Sequence, residues 1–321
     1  MSSLLILGTF LHTIGGELHI LENTYVVVSK GIITYISQTK PEGTFDNYYE
    51  AKPNQLILPG LIDTHIHAPQ YVFAGCGLDL PLLEWLNKYT FPAESKFNEI
   101  AHAKKVYEAV VKRTLDHGTT TASYFATIWM ESSYLLADIC KKKGQRAFIG
   151  KVSMDRNSPE NYIETTPDAI RQANEFVNEL FGKDSLVQPI ITPRFVPSCT
   201  PELMKSLGKL GKEKENILIQ SHLDENLGEI AWVKELHPEV NSYTEVYDEF
   251  GLLKNGTILA HCVHITDDEL NLLKERNASI AHCPSSNFLL YSGIADVRHF
   301  MDMGVKVGLG TDVAGGSKNI F

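Results

Sequence analysis

The chain has 321 residues, 43% hydrophobic and 21% charged, and this balance predicts a folded protein with a large buried core. A formal net charge of −10 and a pI near 5.6 give no basic surface, which excludes nucleic acid and anionic membranes as expected partners. No apolar run approaches the roughly 18 residues of a membrane span. The five cysteines show no CxxC spacing, which favours free thiols in a reducing cytoplasm. We therefore expect a cytoplasmic protein that acts on a small molecule.

Short β-rich runs separated by turn residues occupy the N-terminal part of the chain. They lie at residues 4–7, 18–20, 25–29 and 32–37. Runs of this composition that end at Gly, Asn or Lys-Gly signals are typical of strands. We expect residues 1–55 to form part of a small β-sandwich domain, and we read its last segment, TKPEGTFDNYYEAKPNQ, as a polar linker.

The rest of the chain alternates apolar strands with segments of helical periodicity. The strand candidates are residues 56–67, 119–126, 146–154, 187–195, 216–222, 256–262, 278–283 and 305–312. Strands that alternate with helices pair in parallel, and eight such units predict an α/β fold with a (β/α)₈ TIM barrel over residues 56–321.

Polar side chains stand at the ends of these predicted strands. They are His65, His67, Arg194, His222, His261, His282 and Asp312. The carboxyl ends of the strands of a parallel barrel share one face, and this face carries the active sites of the fold. Residues that are distant in the sequence are therefore expected to converge there.

A metal site is the first expectation for this face. Side chains alternate along a strand, so His65 and His67 point the same way, together with Asp63. With His222 and Asp312 they would offer three nitrogens and one oxygen to a divalent metal such as Zn²⁺, leaving one position for water. Zn²⁺ lowers the pKa of that water to roughly 7, which suits hydrolysis. The pair alone also fits hydrogen-bonded barrel histidines, so the prediction rests on the whole set.

Acid–base roles are expected beside the metal ligands. Glu225, in the segment SHLDEN, could take a proton from the attacking water and pass it to a ring nitrogen or a leaving amine. Glu229 and Asp224 remain alternatives, and Glu225 could instead stabilise a helix N-terminus. His261 could orient the hydroxide or be a core histidine. His282 could act at the reacting centre or could only support the metal ligands from behind.

Several motifs carry a resemblance to a known family. PGLIDTHIH, SHLDEN, LAHCVH, SIAHCPSSN and GLGTDVAGG together resemble the aminohydrolase branch of the amidohydrolase superfamily. Within that branch, the longer blocks APQYVFAGCGLDLPLLEWLNKYTFPAE, GTTTASYFAT, GQRAFIGKVSMD and ITPRF resemble the guanine deaminase family. The similarity runs from about residue 4 to Gly316, nearly the whole chain.

The resemblance implies a barrel with a small β-sandwich, one Zn²⁺ per chain and hydrolysis of guanine to xanthine and ammonia. The positions that match the family's zinc ligands are His65, His67, His222 and Asp312. Glu225 matches the proton shuttle, and His261 and Asp312 match the groups that orient and deprotonate the attacking water. The fourth strand, VQPIITPRF, lacks the lysine that bridges two metals in other branches, so a single metal is expected.

The resemblance also implies a purine-binding site. Gln70, Arg194 and Phe195 match its positions. Guanine offers acceptors at O6 and N7 and donors at N1 and N2, which an arginine fork and a glutamine amide can read while a phenylalanine ring covers the base. The alternative is that Arg194 only pairs with an acid and Phe195 is core. Trp85 and Leu83 could line the pocket or simply pack.

The sequence departs from the family pattern after GTDVAGG, where it reads GGSKNIF. We expect a C-terminally truncated form whose barrel lacks its last helix, with an exposed flank and first-strand seam and a marginally stable monomer. The homodimer that the family implies could be altered. Two alternative functions stay open: a related aminohydrolase acting on another aminated purine, a pterin or a triazine, and an inactive isoform acting through protein interaction.

Overall fold

The computed structural model describes residues 3–317, and the chain divides into two compact units, Met1–Gly60 and Leu61–Phe321. The first unit is a five-stranded sheet in which β2 pairs antiparallel with β1 and β3, while β4 and β5 pair in parallel with β1. Its strands are β1 (Ser3–Ile14), β2 (Glu17–Ser29), β3 (Ile32–Ser37), β4 (Asn47–Glu50) and β5 (Leu56–Ile57).

Two expectations for this unit were wrong. The predicted polar linker contains β4, where Tyr48 and Tyr49 supply aromatic strand formers that pair with β1. Leu56–Ile57, predicted to begin the first barrel strand, also pairs with β1, and the boundary falls between Gly60 and Leu61 instead of after residue 55. Pro59 explains the break, because proline donates no ladder hydrogen bond and interrupts the apolar run.

The second unit is a barrel of eight parallel strands, as the sequence predicts. Neighbours are hydrogen-bonded in the order β14, β13, β12, β11, β10, β8, β7 and β6, and the short β9 pairs with β10. The strands are β6 (Leu61–His67), β7 (Thr119–Phe125), β8 (Arg146–Gly150), β9 (Val152–Ser153), β10 (Val187–Pro193), β11 (Leu218–Leu223), β12 (Thr257–His261), β13 (Ser279–His282) and β14 (Lys306–Leu309).

Helices connect the strands, and several begin at side-chain caps that fix where each strand–helix loop ends. Thr165 and Thr200 accept hydrogen bonds from backbone amides in the first turns of α5 and α6, and Thr266 forms a capping box with Glu269 in α9. The helices are α1 (Leu82–Trp85), α2 (Phe91–Glu94), α3 (Ile100–Asp116), α4 (Met130–Lys143), α5 (Thr166–Leu180), α6 (Pro201–Glu213), α7 (Leu227–Leu236), α8 (Tyr243–Glu249), α9 (Asp267–Glu275), α10 (Pro284–Leu289) and α11 (Val297–Asp302). Within residues 3–317, none of them has the length and apolar composition needed to cross a membrane.

The seam between the first and last barrel strands is joined by hydrogen bonds. The buried Asp63 carboxylate accepts from the Thr311 amide at 3.0 Å and from its hydroxyl at 2.6 Å. Thr64 Oγ1 donates to the Leu309 carbonyl, and the Asp312 amide donates to the His65 carbonyl, both at 2.9 Å. These bonds place the segment after β14 directly beside the end of β6. The predicted exposed seam is therefore closed on its inner side.

Candidate active site

Four histidines and an aspartate meet at the carboxyl ends of the barrel strands. His65 Nε2 lies 3.2 Å from Asp312 Oδ1, and His67 Nε2 lies 3.4 Å from the same oxygen. His67 Nε2 is also 3.2 Å from His222 Nε2. The ligand atoms of His65, His222 and His261 lie within 4.8 Å of one another, as do those of His65, His67 and Asp312. The structure thus brings together the four residues expected to bind metal and adds His261 to the group.

The nitrogens of this cluster are arranged to offer lone pairs. His222 Nδ1 lies 2.7 Å from the Arg194 carbonyl, which can only accept, so this nitrogen carries the proton and Nε2 is free. His261 Nδ1 bonds Asn287 Oδ1 at 2.9 Å, which directs its Nε2 the same way. Carboxylate oxygens of Asp312 and Glu225 lie 3.2 Å and 3.4 Å from Nε2 of His65 and of His261, but within residues 3–317 neither nitrogen makes a hydrogen bond of acceptable geometry. Burial lowers the pKa of His65 and holds that of His222 well below its usual value, so these rings are neutral. Buried neutral imidazoles with unpaired nitrogens beside a carboxylate fit a divalent metal.

Glu225 stands on the loop after β11, next to this cluster. Its Oε2 lies 3.4 Å from His261 Nε2, and its Oε1 accepts a hydrogen bond from Ser292 Oγ at 3.4 Å. Burial, followed by the nearby charge of Asp312, raises the pKa of Glu225 well above its usual range. A carboxyl group that keeps its proton to higher pH, beside a polar cluster, is suited to proton transfer.

The two alternative acids occupy different positions. Glu229 lines the same cavity as Glu225, but its carboxylate already accepts from the Glu225 amide at 3.1 Å and from the Tyr243 hydroxyl at 2.9 Å. Burial raises its pKa to about 7. Asp224 lines a separate cavity beside Tyr243. Of the three acids, Glu225 is therefore placed best for contact with the cluster.

A cavity that opens to solvent lies over the cluster. Its lining combines the polar groups with an apolar wall that contains Trp85, whereas Leu83 lies against a neighbouring cavity. Among the described residues His282, at the end of β13, is not part of this lining. The lining residues are His67, Gln70, Leu82, Trp85, Leu86, Arg194, Phe195, His222, Glu225, Glu229, His261, Leu290 and Asp312.

Arg194 and Gln70 in this lining are held by a carboxylate that the sequence analysis missed. Glu94, fully buried at the end of α2, accepts from Arg194 Nη1 at 2.6 Å and from Arg194 Nη2 at 3.2 Å. It also accepts from Gln70 Nε2 at 2.9 Å and from the Tyr162 hydroxyl at 2.8 Å. The expected alternative, that Arg194 pairs with an acid, is therefore present, and Arg194 lines the cavity as well. Phe195 is 6% exposed and lines the same wall.

The backbone turns sharply where the cluster residues leave their strands. His261 has φ of +74°, and the Cys262 amide donates across it to the Ala260 carbonyl at 3.1 Å, which makes a three-residue turn. Cys262 and Asp312 also have positive φ, +49° and +46°. Residues other than glycine rarely adopt these backbone angles, so the backbone is strained at the site.

Comparison with known proteins agrees with this geometry. A family model described as the amidohydrolase family matches residues 56–321. The guanine deaminase of Dictyostelium discoideum is 50% identical over 96% of this chain and 73% of its own length. The human guanine deaminase is 49% identical over 96% of this chain and 70% of its own length. A crystal structure of guanine deaminase from C. acetobutylicum, with guanine bound in the active site, superimposes with a TM-score of 0.94 at 42% identity, covering 98% of this chain and 75% of that one.

Proposed function

This chain belongs to the amidohydrolase family, and we propose that it hydrolyses guanine to xanthine and ammonia. The observation that carries the proposal is one cavity lined both by the histidine–aspartate cluster and by an arginine–glutamine pair suited to a purine. The relatives named guanine deaminase, and the related structure with guanine in its active site, support this choice of substrate.

One Zn²⁺ per chain is the proposed cofactor, with His65, His67, His222 and Asp312 as its ligands. The unpaired nitrogens and the low pKa values of these buried rings support the assignment, because a metal binds the neutral imidazole. A bound zinc ion would supply Lewis acidity, which lowers the pKa of a water molecule that it holds. His261, whose Nδ1 is fixed by Asn287, is proposed to orient the attacking water.

Glu225 is proposed to move the protons. Glu225 takes a proton from the attacking water, and Asp312 beside it helps to deprotonate that water. Glu225 then delivers a proton to a ring nitrogen or to the leaving amine. Its burial beside His261 keeps bulk water from exchanging the proton during transfer. Burial and the charge of Asp312 raise the pKa of this carboxyl group, which favours the protonated form that donates to the ring nitrogen or the leaving amine.

Gln70, Arg194 and Phe195 are proposed to recognise the base. Arg194 and Gln70 both line the cavity and can present N–H donors to the O6 and N7 acceptors of guanine. Phe195, on the same wall, would lie against a face of the purine. The substrate panel described below decides between guanine and a pterin or a triazine.

Two further assignments are proposed. The resemblance supports a homodimer, and the five cysteines without CxxC spacing support a location in the cytoplasm. Light scattering on a size-exclusion column tests the first, and a mass near twice 35.8 kDa is expected. Fractionation of cells that express the tagged chain tests the second.

The proposed function is tested with purified, zinc-loaded protein, guanine and a panel of aminated purines, pterins and triazines. We expect ammonia release and the absorbance change from guanine to xanthine. Turnover of another amine without turnover of guanine would replace the substrate. Stoichiometric zinc with no turnover of any member would support the non-catalytic alternative. Glu225→Gln serves as the control for contaminating activity.

A further inference from the structure

Glu94 is a fully buried carboxylate to which the proposed chemistry gives no part. Within the described residues 3–317, every hydrogen bond that its carboxylate accepts comes from a side chain, and two of the three partners, Arg194 and Gln70, line the cavity. Its third partner, Tyr162, is buried behind them. A buried carboxylate is stable only when it is well paired, so Glu94, Arg194 and Gln70 are built as one unit.

These bonds leave little freedom to the two residues that face the cavity. Arg194 donates to Glu94 through both terminal nitrogens, and its guanidinium also lies 5.1 Å from the centre of the Phe91 ring. Gln70 donates from Nε2 to Glu94 and accepts at Oε1 from the Ala314 amide at 3.0 Å, which determines how its amide is turned. Each of these groups retains a further donor hydrogen or lone pair for a ligand.

The charge of Glu94 matters as much as its geometry. Arg194 and Glu94 are 2% and 0% exposed, so water does little to screen them from the cavity. Together they present N–H donors without a net positive charge. Such a surface suits a neutral carbonyl acceptor, whereas a lone buried guanidinium would attract anions.

We propose that Glu94 is a specificity-determining positioning residue: it fixes the donors of Arg194 and Gln70 and cancels the arginine charge, so that the cavity selects a neutral aminated purine over an anionic one. The inference rests on the proposed function for the identity of the base. It assigns Glu94 no contact with the reacting atoms.

The test is calorimetric binding of two probes to zinc-loaded protein that carries Glu225→Gln, so that guanine is not consumed. The probes are guanine, which is neutral, and urate, a purine that is anionic at neutral pH. Glu94→Gln should weaken guanine binding about 10- to 100-fold, as loss of charge-assisted hydrogen bonds does. The same substitution should strengthen urate binding, because it leaves the arginine charge uncompensated. Opposite shifts for the two probes are the signature, since general damage to the fold weakens both.

Two further variants keep the test decisive. Glu94→Asp retains the charge but shortens the side chain, so guanine should bind more weakly while urate binding stays at the wild-type level; this variant decides the matter if Glu94→Gln does not fold. Glu164→Gln breaks another buried pair, with Lys151, whose residues are not in the cavity lining, and it should leave the ratio of the two affinities unchanged.

Unchanged affinities in Glu94→Gln, or a parallel loss for both probes, would overturn the inference and make Glu94 a structural residue. Binding needs no turnover, so the proposed function is judged separately. A wild-type protein that binds guanine without releasing ammonia overturns that function alone, and one that does not bind guanine overturns both.

Discussion

Two groups of residues at the cavity, the histidine–aspartate cluster (the histidine end) and Glu94 with Arg194 and Gln70 (the Glu94 end), satisfy their polar atoms in opposite ways. At the histidine end, Nε2 of His65 and of His261 and Nδ1 of His67 have no hydrogen-bond partner within the described part of the chain. At the other end, the Glu94 carboxylate accepts from three side chains, and the Gln70 amide is bonded at both its nitrogen and its oxygen.

This difference indicates which end the protein completes unaided. Fully paired polar groups are preorganised, so the Glu94 end needs no added component to hold its shape. Buried nitrogens without a hydrogen bond cost free energy until something binds them, and the proposed zinc ion would remove this cost at the histidine cluster. Substitutions at the two ends should therefore have separable consequences, loss of metal at one and loss of affinity for the base at the other.

The largest effect is expected from Asp312→Ala. This change removes both a proposed zinc ligand and the carboxylate beside the attacking water, so kcat/KM for guanine should fall by about 10⁴-fold or more. Zinc measured by atomic absorption should fall below one ion per chain. Asp302→Ala, at an exposed carboxylate in α11, is the matched control and should retain both zinc and turnover.

Glu225→Gln should come next, with kcat lowered about 100- to 1,000-fold because the proton carrier is lost. Zinc content should stay at one per chain, and KM should change little. Glu229→Gln is the companion variant, since Glu229 lines the same cavity. A larger loss of kcat in Glu229→Gln than in Glu225→Gln would transfer the role to Glu229.

Gln70→Ala tests whether recognition of the base can be lost without loss of the metal. Loss of its contacts should raise KM for guanine about 10- to 100-fold with full zinc occupancy, because only recognition of the base is affected. Steady-state kinetics and metal analysis on one preparation provide the check. A variant that lost zinc would show that the two ends are coupled.

Removal of the metal should lower the stability of the fold. A ligand at 1,000 times its dissociation constant stabilises the native state by about 4 kcal/mol, so chelation should lower Tm by several degrees. Zn²⁺ should restore the transition, and Mg²⁺, which prefers oxygen ligands, should not. Equal Tm values with and without chelator would argue against an ion at the histidines.

Much of this site follows from the sequence because its residues lie at strand ends or, as Asp312 does after β14, a few residues beyond them. An apolar run locates each strand, and a parallel barrel brings the last side chains of all its strands to one face, which accounts for His65, His222 and Asp312. No comparable sequence rule predicts the position of Glu94. It lies on a short helix between strands, and its partner Arg194 is one hundred positions away along the chain.

The first unit shows the same limit. β4 lies in a segment rich in polar residues and flanked by prolines, and its place in the sheet comes from backbone bonds to β1. Pairing of this kind leaves little trace in composition.

The sequence offered one signal for Glu94. It is an acid within the largely apolar block YTFPAE, and carboxylates are rarely buried without a partner.

The left-handed turn at His261 bears on how this enzyme could be improved. Strained backbone of this kind lowers stability by about 1–3 kcal/mol at each such residue, and a glycine at Cys262 would relieve part of it. The relaxed loop would also let the imidazole drift from its ligand-facing pose. Substitutions at this turn that raise the melting temperature should therefore also lower the rate of turnover.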